Sequence, residues 1–351
     1  MPSGVEWIES LTPWPAEFGL DRMHALLDEI GNPQRAFRAV HVVGTNGKST
    51  ATRLVESLLL AEGLSVGAYL SPHVRGWSER IRVAGAEADF ERAVARVRGA
   101  AERVGATQFE VLTAAAFAEF AAAGVDAAVV EAGLGGRHDA TNVLGAPVVL
   151  LTNVGLDHTD VLGGTREEIA REKLAVVSPG AIAVLPDEEF AWLVPAARVV
   201  VGGPREAAET LLGRSIGQTP EVALPGRLEA RSEDELWDGA HNADGVAWLL
   251  GRLPRDDYTI VASILADKQV DDMLERLAAA GDRLIATHSS NPRALPAAEL
   301  AGRARRFFER VDAVDDPTAA VTLAREEPPV LVTGSLYLLA DLAMAEERRI
   351  K

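Results

Sequence analysis

The sequence predicts an α/β fold in two parts: a larger domain built on a mostly parallel sheet, then a smaller Rossmann-like α/β domain. Two observations carry this. Short apolar runs alternate with amphipathic helical stretches, the pattern of parallel strands with helices on both faces. The alternation also restarts after Pro225-Gly226, in a chain whose 351 residues exceed what one hydrophobic core organises.

In the first series, residues 18–30 have helical spacing and stop at Gly31-Asn32-Pro33. Residues 39–43, rich in Val and ending at Gly44, read as a buried strand. Residues 50–62 read as a helix and 66–70 as the next strand. Helices follow at 90–104 and 112–123, strands at 125–131 and 148–152, and a helix at 166–177. In the second series the expected strands are 235–237, 258–264, 284–287 and 330–333. The expected helices are 244–253, 271–280 and 297–308.

Composition bounds the function. A chain that is 48% hydrophobic and 25% charged is globular. No apolar run approaches about 20 residues, so no membrane span is expected. Residues 1–9 lack the basic start of a secretory signal. The absence of cysteine excludes disulfides and thiolate metal sites. A net charge of -17 argues against nucleic acid or an anionic membrane as partner. Any phosphate site must therefore be built from local dipoles, cations and metals. Lysine occurs only at Lys48, Lys173, Lys268 and Lys351, and three of these fall in the segments below.

Gly44-Thr45-Asn46-Gly47-Lys48-Ser49-Thr50 lies between a predicted strand and a predicted helix, the setting of a phosphate loop (P-loop). Backbone N–H groups and the helix N-terminus can hold anions, Lys48 can reach the β- and γ-phosphates of ATP, and Ser49 or Thr50 can meet Mg²⁺. Val42 stands where the general Walker A form has its first glycine. Other candidates follow later strands, where open α/β sheets bind ligands. Ser71-Pro72-His73 offers a hydroxyl for a hard cation. Glu131 ends a strand before Gly133-Leu134-Gly135-Gly136 and is a carboxylate of the kind that partners Mg²⁺ beside a phosphate loop. His158, beside Asp157 and Asp160, could be a metal ligand oriented by a carboxylate. Arg171-Glu172-Lys173, by charge alone, reads as a solvated helix face. Residues 224–229, Asp238-Gly239-Ala240-His241-Asn242, Asp267-Lys268 and 333–337 sit at turns or strand ends of the second series.

Together these motifs are specific. With 18–23, 107–110, Glu79-Arg80-Ile81, Asp139-Ala140-Thr141-Asn142 and Thr333-Gly334-Ser335-Leu336-Tyr337, the chain resembles the folylpolyglutamate synthase/dihydrofolate synthase family of the Mur ligase superfamily. The resemblance implies an ATP-dependent carboxylate–amine ligase. It would join L-glutamate to dihydropteroate or a reduced folate through an acyl phosphate, with one or two Mg²⁺ ions. It implies Ser71, Glu131 and His158 as metal ligands, with Lys173, as a carbamate, helping to hold a second ion. Thr45, Asn46, Gly47, Lys48, Ser49 and Thr50 would hold the phosphates, joined by Arg227 and Asp238. Thr107, Gln108, Phe109 and Glu110 with His138, Asp139 and Ala140 would line the pteroate site. His241 and Ser335 would lie near the incoming glutamate, and Lys48, Lys173 and His241 would be the catalytic set. The implied domains are 1–226, ATP- and pteroate-binding, and 230–351, the glutamate-ligase C-terminal type. A cytoplasmic monomer is expected.

Three departures stand out. The loop ends Gly-Lys-Ser-Thr where the family usually has Gly-Lys-Gly-Ser or Gly-Lys-Gly-Thr. Leu174-Ala175-Val176 replaces the usual Ala-Gly-Ile after the lysine. The stretch 186–224 lacks the family's His-Gln and Asn-Ala segment, so adenine contact is expected to be weaker or made otherwise. Two other readings stay open. One is a Mur-type peptidoglycan ligase, although only 43 residues precede Gly44, fewer than the roughly 50–250 of a domain. The other is a P-loop ATP-binding protein without ligase activity.

Overall fold

A computed structural model describes residues 2–15, 17–218, 220 and 222–350. Met1 and Lys351 lie outside the described residues. Two compact units divide the chain. The first holds the chain up to His73 and Trp77–Val222, and the second holds Val74–Gly76 and the chain from Ala223 onward.

The first unit begins with helices α1 (Gly4–Ser10) and α2 (Asp21–Glu29), strand β1 (Arg38–Val43), α3 (Lys48–Ala61) and β2 (Val66–Tyr69). A short antiparallel pair follows, β3 (Ile81–Val83) and β4 (Ala86–Glu87), then α4 (Phe90–Val104), α5 (Gln108–Ala123), β5 (Ala127–Glu131) and β6 (Val148–Leu151). The unit continues with α6 (Thr159–Leu162), α7 (Arg166–Leu174), β7 (Ile182–Leu185), β8 (Arg198–Val201) and α8 (Pro204–Leu212). Its sheet has the order β4-β3-β2-β5-β1-β6-β7-β8 and is parallel except at the β3–β4 end.

Strand side chains alternate between two covered faces, as buried parallel strands require. Val40, Val42, Ala127 and Val129 pack with α3 and α8, whereas Ala128 and Val130 pack with α4 and α5. A capping box explains why α5 starts at Gln108 and not at residue 112 as expected. Glu110 reaches back from the first turn, and its Oε2 accepts from both the N–H and the hydroxyl of Thr107. Thr165 and Glu168 start α7 in the same way. The sequence reading left β3, β4, β7, β8, α1, α6 and α8 unassigned.

The second unit contains β9 (Glu229–Ser232), β10 (Glu235–Trp237), α9 (Ala243–Leu250), β11 (Thr259–Ala262), α10 (Val270–Leu277) and β12 (Arg283–Ala286). After these come α11 (Ala297–Ala304), β13 (Arg310–Ala313), α12 (Pro317–Ala324), β14 (Val330–Thr333) and α13 (Leu336–Ile350). The sheet order is β13-β12-β11-β14-β10-β9, parallel except for β9. Helices α9, α10 and α11 cover one face, and α12 and α13 the other. The elements β9, β13, α12 and α13 were not anticipated. Among the described residues no helix is long and apolar enough to cross a membrane.

Close packing of the first sheet leaves no room at Gly67 in β2, where a Cβ would lie 2.5 Å from a Phe120 ring carbon. Gly67→Val should therefore cost about 1–3 kcal/mol of stability. Urea unfolding would show this as a lower midpoint with an unchanged slope.

Candidate active site

The loops after β1, β2, β5 and β6 all leave the same, carboxyl edge of the first sheet. The β1 loop is gripped from behind by the β6 loop. Thr45 N–H donates to the Asn153 carbonyl (3.1 Å), Asn46 N–H to Asn153 Oδ1 (2.9 Å), and Thr152 Oγ1 to the Asn46 carbonyl (2.7 Å). Thr45 Oγ1 accepts from Gly155 N–H at 3.0 Å and lies 3.2 Å from its carbonyl. Gly44 has φ +152°, and a Cβ there would meet Thr152 Oγ1 at 1.9 Å, so only glycine fits this close approach.

Glu131, 1% exposed at the end of β5, joins two predicted site residues. Its Oε1 accepts from Ser49 Oγ and its Oε2 from Ser71 N–H, both at 3.0 Å. Thr50 is exposed on the first turn of α3. His158 is the half-buried N-cap of α6, in left-handed backbone, with its N–H on Asp157 Oδ1 at 2.9 Å.

The expected solvated face at 171–173 is corrected by the structure. Arg171 is exposed and pairs with Glu167, but Lys173 is only 3% exposed. Its Nζ donates to the Gly44 carbonyl at 2.9 Å, and Lys48 Nζ donates to the same carbonyl at 3.1 Å. Burial first, and then the Lys48 charge, pull the Lys173 amine down to about 7. Periodicity places Lys173 inside, one turn beyond the buried Ile169.

A cavity of about 140 Å³ adjoins this centre. Of the residues expected at the pteroate site, Thr107, Phe109, Glu110, His138, Asp139 and Ala140 line it. Gln108 does not; its side-chain amide donates to the Ile8 carbonyl at 2.8 Å and anchors α1. The sequence reading missed the apolar wall, which includes Trp14, Phe18, Leu134, Val161 and Leu162. Trp14 and Phe18 are 52% and 50% exposed, and no local sequence pattern marks them as parts of one wall. His138 is exposed, whereas Asp139 is buried, which pushes its pKa up.

In the second unit, Asp238 follows β10 and is buried, which raises its pKa. It accepts from Leu228 and Ala240 N–H, both at 2.9 Å. Arg227 Nη1 donates to the Gly226 carbonyl at 2.9 Å, and the Arg227 charge opposes the burial effect on Asp238. His241 Nδ1 lies 2.9 Å from the Gly239 carbonyl. Buried Ser335 follows β14, the parallel neighbour of β10, and accepts from Tyr337 N–H at 3.1 Å.

The Mur ligase middle domain matches residues 42–200, and the Mur ligase glutamate ligase domain matches 226–336. The dihydrofolate synthase/folylpolyglutamate synthase of Mycobacterium tuberculosis is 32% identical over 421 aligned residues, covering 90% of this chain and 86% of that one. The chain belongs to the folylpolyglutamate synthase/dihydrofolate synthase family. The Escherichia coli FolC structure in complex with DHPP and ADP superposes with a TM-score of 0.88 at 28% identity, covering 100% and 99% of the two chains. A bifunctional folylpolyglutamate synthase/dihydrofolate synthase with Mn, AMPPNP and L-glutamate bound gives 0.86 at 27% identity, covering 99% and 98%. The family is one of ATP-dependent ligases, for which ATP and a divalent metal are expected.

The residues present fit both groups. Helix α3 begins at Lys48 with Gly47 as its N-cap and no side-chain cap, and a Cβ on Gly47 would meet nothing within 4 Å, which leaves the first-turn N–H groups to an anion. Ser49, Ser71 and Glu131 supply hard oxygen donors. Among the described residues no three His, Asp or Glu side chains form a metal site by themselves. A magnesium ion bound through one or two carboxylates plus phosphate oxygens needs no such cage.

Lys173 makes stability depend on pH. Its amine takes up a proton near 7 when folded and near its ordinary 10.5 when unfolded. Between these values the unfolded chain binds more protons, so folding strengthens as pH rises. Without nucleotide, wild-type stability should climb relative to Lys173→Met between about pH 7 and 10.5. Parallel profiles in denaturant titrations would contradict the burial.

Proposed function

We propose that this chain joins L-glutamate to dihydropteroate, to reduced folate glutamates, or to both, using ATP. The observation that carries this reading is the meeting of cavity and phosphate loop at the end of α7. Glu172 lines the cavity and the next residue, Lys173, reaches Gly44. A flat aromatic substrate held in the apolar cavity would present its carboxylate toward the terminal phosphate.

The substrate carboxylate attacks the γ-phosphorus, ADP leaves, and an acyl phosphate forms. The glutamate amine then attacks the acyl carbon, and the tetrahedral adduct expels phosphate. Both steps build negative charge on oxygen. Lys48 and the uncapped start of α3 counter it on the transferring phosphoryl group. Ser71, Glu131 and His158 would hold the divalent metal, which supplies charge neutralisation between phosphate oxygens. Carbamylation of Lys173 requires a neutral amine, and burial supplies a substantial neutral fraction near pH 7. We assign Arg227 and Asp238 to the nucleotide and His241 and Ser335 to glutamate. Support comes from their clustering at the adjacent carboxyl ends of β10 and β14. Residues 1–226 are then the ATP- and pteroate-binding domain and 230–351 the glutamate-ligase domain of a cytoplasmic monomer.

With ATP, Mg²⁺ and glutamate, phosphate release should require dihydropteroate or a reduced folate. Release with neither, or none with either, would sink the ligase reading and, in the first case, leave a P-loop ATPase. Lys173→Ala should lower kcat by about 100-fold or more, the scale of losing one preorganised charge-stabilising group. A small carboxylic acid should restore part of it, and an unimpaired variant would reject the carbamate.

A further inference from the structure

The stretch Phe18-Gly19-Leu20-Asp21-Arg22-Met23 contributes Phe18 to the cavity wall, but its arginine has no role in the mechanism above. Arg22 lies in the first turn of α2, and its Nε–H donates to Oε2 of Glu110 at 2.7 Å. The same oxygen accepts from Thr107 N–H and Thr107 Oγ1–H, each at 2.8 Å. Three donors thus converge on one oxygen of a carboxylate that is 4% exposed. The other oxygen, Oε1, accepts no hydrogen bond among the described residues, and Glu110 lines the cavity.

The remaining acids of the cavity are committed elsewhere. Asp139 Oδ2 accepts from Gly133 and Leu134 N–H, both at 2.9 Å, and Oδ1 from the N–H and hydroxyl of Thr141. Four donors fill its accepting capacity. Glu172 Oε1 accepts from Arg137 Nε at 2.9 Å. Glu172 keeps Oε2, but its side chain is 29% exposed and open to solvent, so Glu110 Oε1 is the buried acceptor left to a ligand whose faces would meet Trp14, Phe18 and Phe109.

We infer that Arg22 is a positioning residue that locks Glu110, so that Oε1 accepts from the amino and ring N–H donors of the bound heterocycle. The inference rests on the cavity being the pteroate site. Without Arg22, Oε2 loses its one cationic donor, the carboxylate can turn, and the edge of the heterocycle loses a charge-assisted partner. An apolar pocket alone discriminates poorly between rings that differ by one donor, whereas a buried acceptor left unpaired discriminates strongly.

The test compares the wild type, Arg22→Ala and Arg22→Lys with dihydropteroate and its 2-desamino analogue, by steady-state kinetics and by calorimetric binding. In Arg22→Ala the KM and Kd for dihydropteroate should rise about tenfold or more. KM for ATP and kcat at saturation should stay within about twofold, the signature of lost substrate binding. Preference for the 2-amino compound should collapse, and lysine should restore part of it. An unchanged Kd and an unchanged preference in Arg22→Ala would overturn the inference, as would a wild type that does not bind dihydropteroate. A wild type that binds dihydropteroate but releases no phosphate would sink the ligase reading alone, because the Kd values still read Arg22. A purely structural clamp would lower the melting temperature and leave the 2-amino preference intact.

Discussion

The Gly44 carbonyl, taken by two lysines at once, is the contact around which the first unit is arranged. Lys48 reaches it from the following helix and Lys173 from α7, 129 residues away in sequence. Bringing a buried amine there demands a tightly docked helix. Ile169, Ala170 and Leu174 supply the apolar face. Gly136 permits the approach, since a Cβ on it would stand 2.7 Å from the carbonyl oxygens of both Glu172 and Lys173. The glycine-rich cavity wall, α7 and the phosphate loop therefore form one packed assembly. A change in any of them must be felt by the other two, because close-packed interiors transmit displacement.

Buried acids divide the work by how their lone pairs are used. Glu131 spends one oxygen on Ser49 and the other on Ser71, tying the β1 loop to the β2 loop. Asp139 is fully satisfied and serves as a fixed strut for the turn at 133–134 and the turn at 140–143. On β1, His41 is held neutral by burial, with Nε2 2.7 Å from Oγ1 of Thr141, the residue whose N–H and hydroxyl donate to Asp139. Of the two buried acids that line the cavity, Asp139 and Glu110, only Glu110 has an oxygen without a protein donor among the described residues. Desolvated carboxylates are tolerated when each is hydrogen-bonded, so an incomplete set marks a place where a ligand completes it.

What could be read from the chain followed from local chemistry. Val40–Val43, Val148–Leu151 and Val330–Thr333 are apolar on both faces, and the strands that carry the site were visible for that reason. Ser71 and Glu131 were legible because ligands gather at strand ends of parallel sheets. Edge strand β13 escaped because charged residues break its apolar run, as in Arg310-Val311-Asp312-Ala313. The start of α5 was hidden because Thr107 and Glu110 both open the helix and line the cavity. Lys173 was masked as a buried group, although its spacing from Ile169 puts it on the inner face of α7. Charged neighbours at Glu167, Glu168, Arg171 and Glu172 surround it, and only a distant carbonyl decides where it points. The cavity wall drew on segments more than a hundred residues apart, beyond any local pattern.

The choice of lysine over arginine at the phosphate loop follows from the same burial. This chain carries a net charge of -17, and ATP, pteroate and glutamate are all anionic. Long-range attraction cannot recruit them, so cationic character must be concentrated where the phosphates sit. Arginines supply most of the positive charge, but many are spent in surface ion pairs such as Arg166–Glu189 and Arg310–Asp282. A guanidinium keeps its proton in any protein environment and would remain a permanent charge if buried against Gly44. An amine there can be cationic or neutral near pH 7, and only the neutral form is a nucleophile toward carbon dioxide. Scarcity of lysine elsewhere and its pairing here are thus two sides of one constraint. The fold needs positive charge at its phosphate loop, and at Lys173 burial makes that charge one that can be given up.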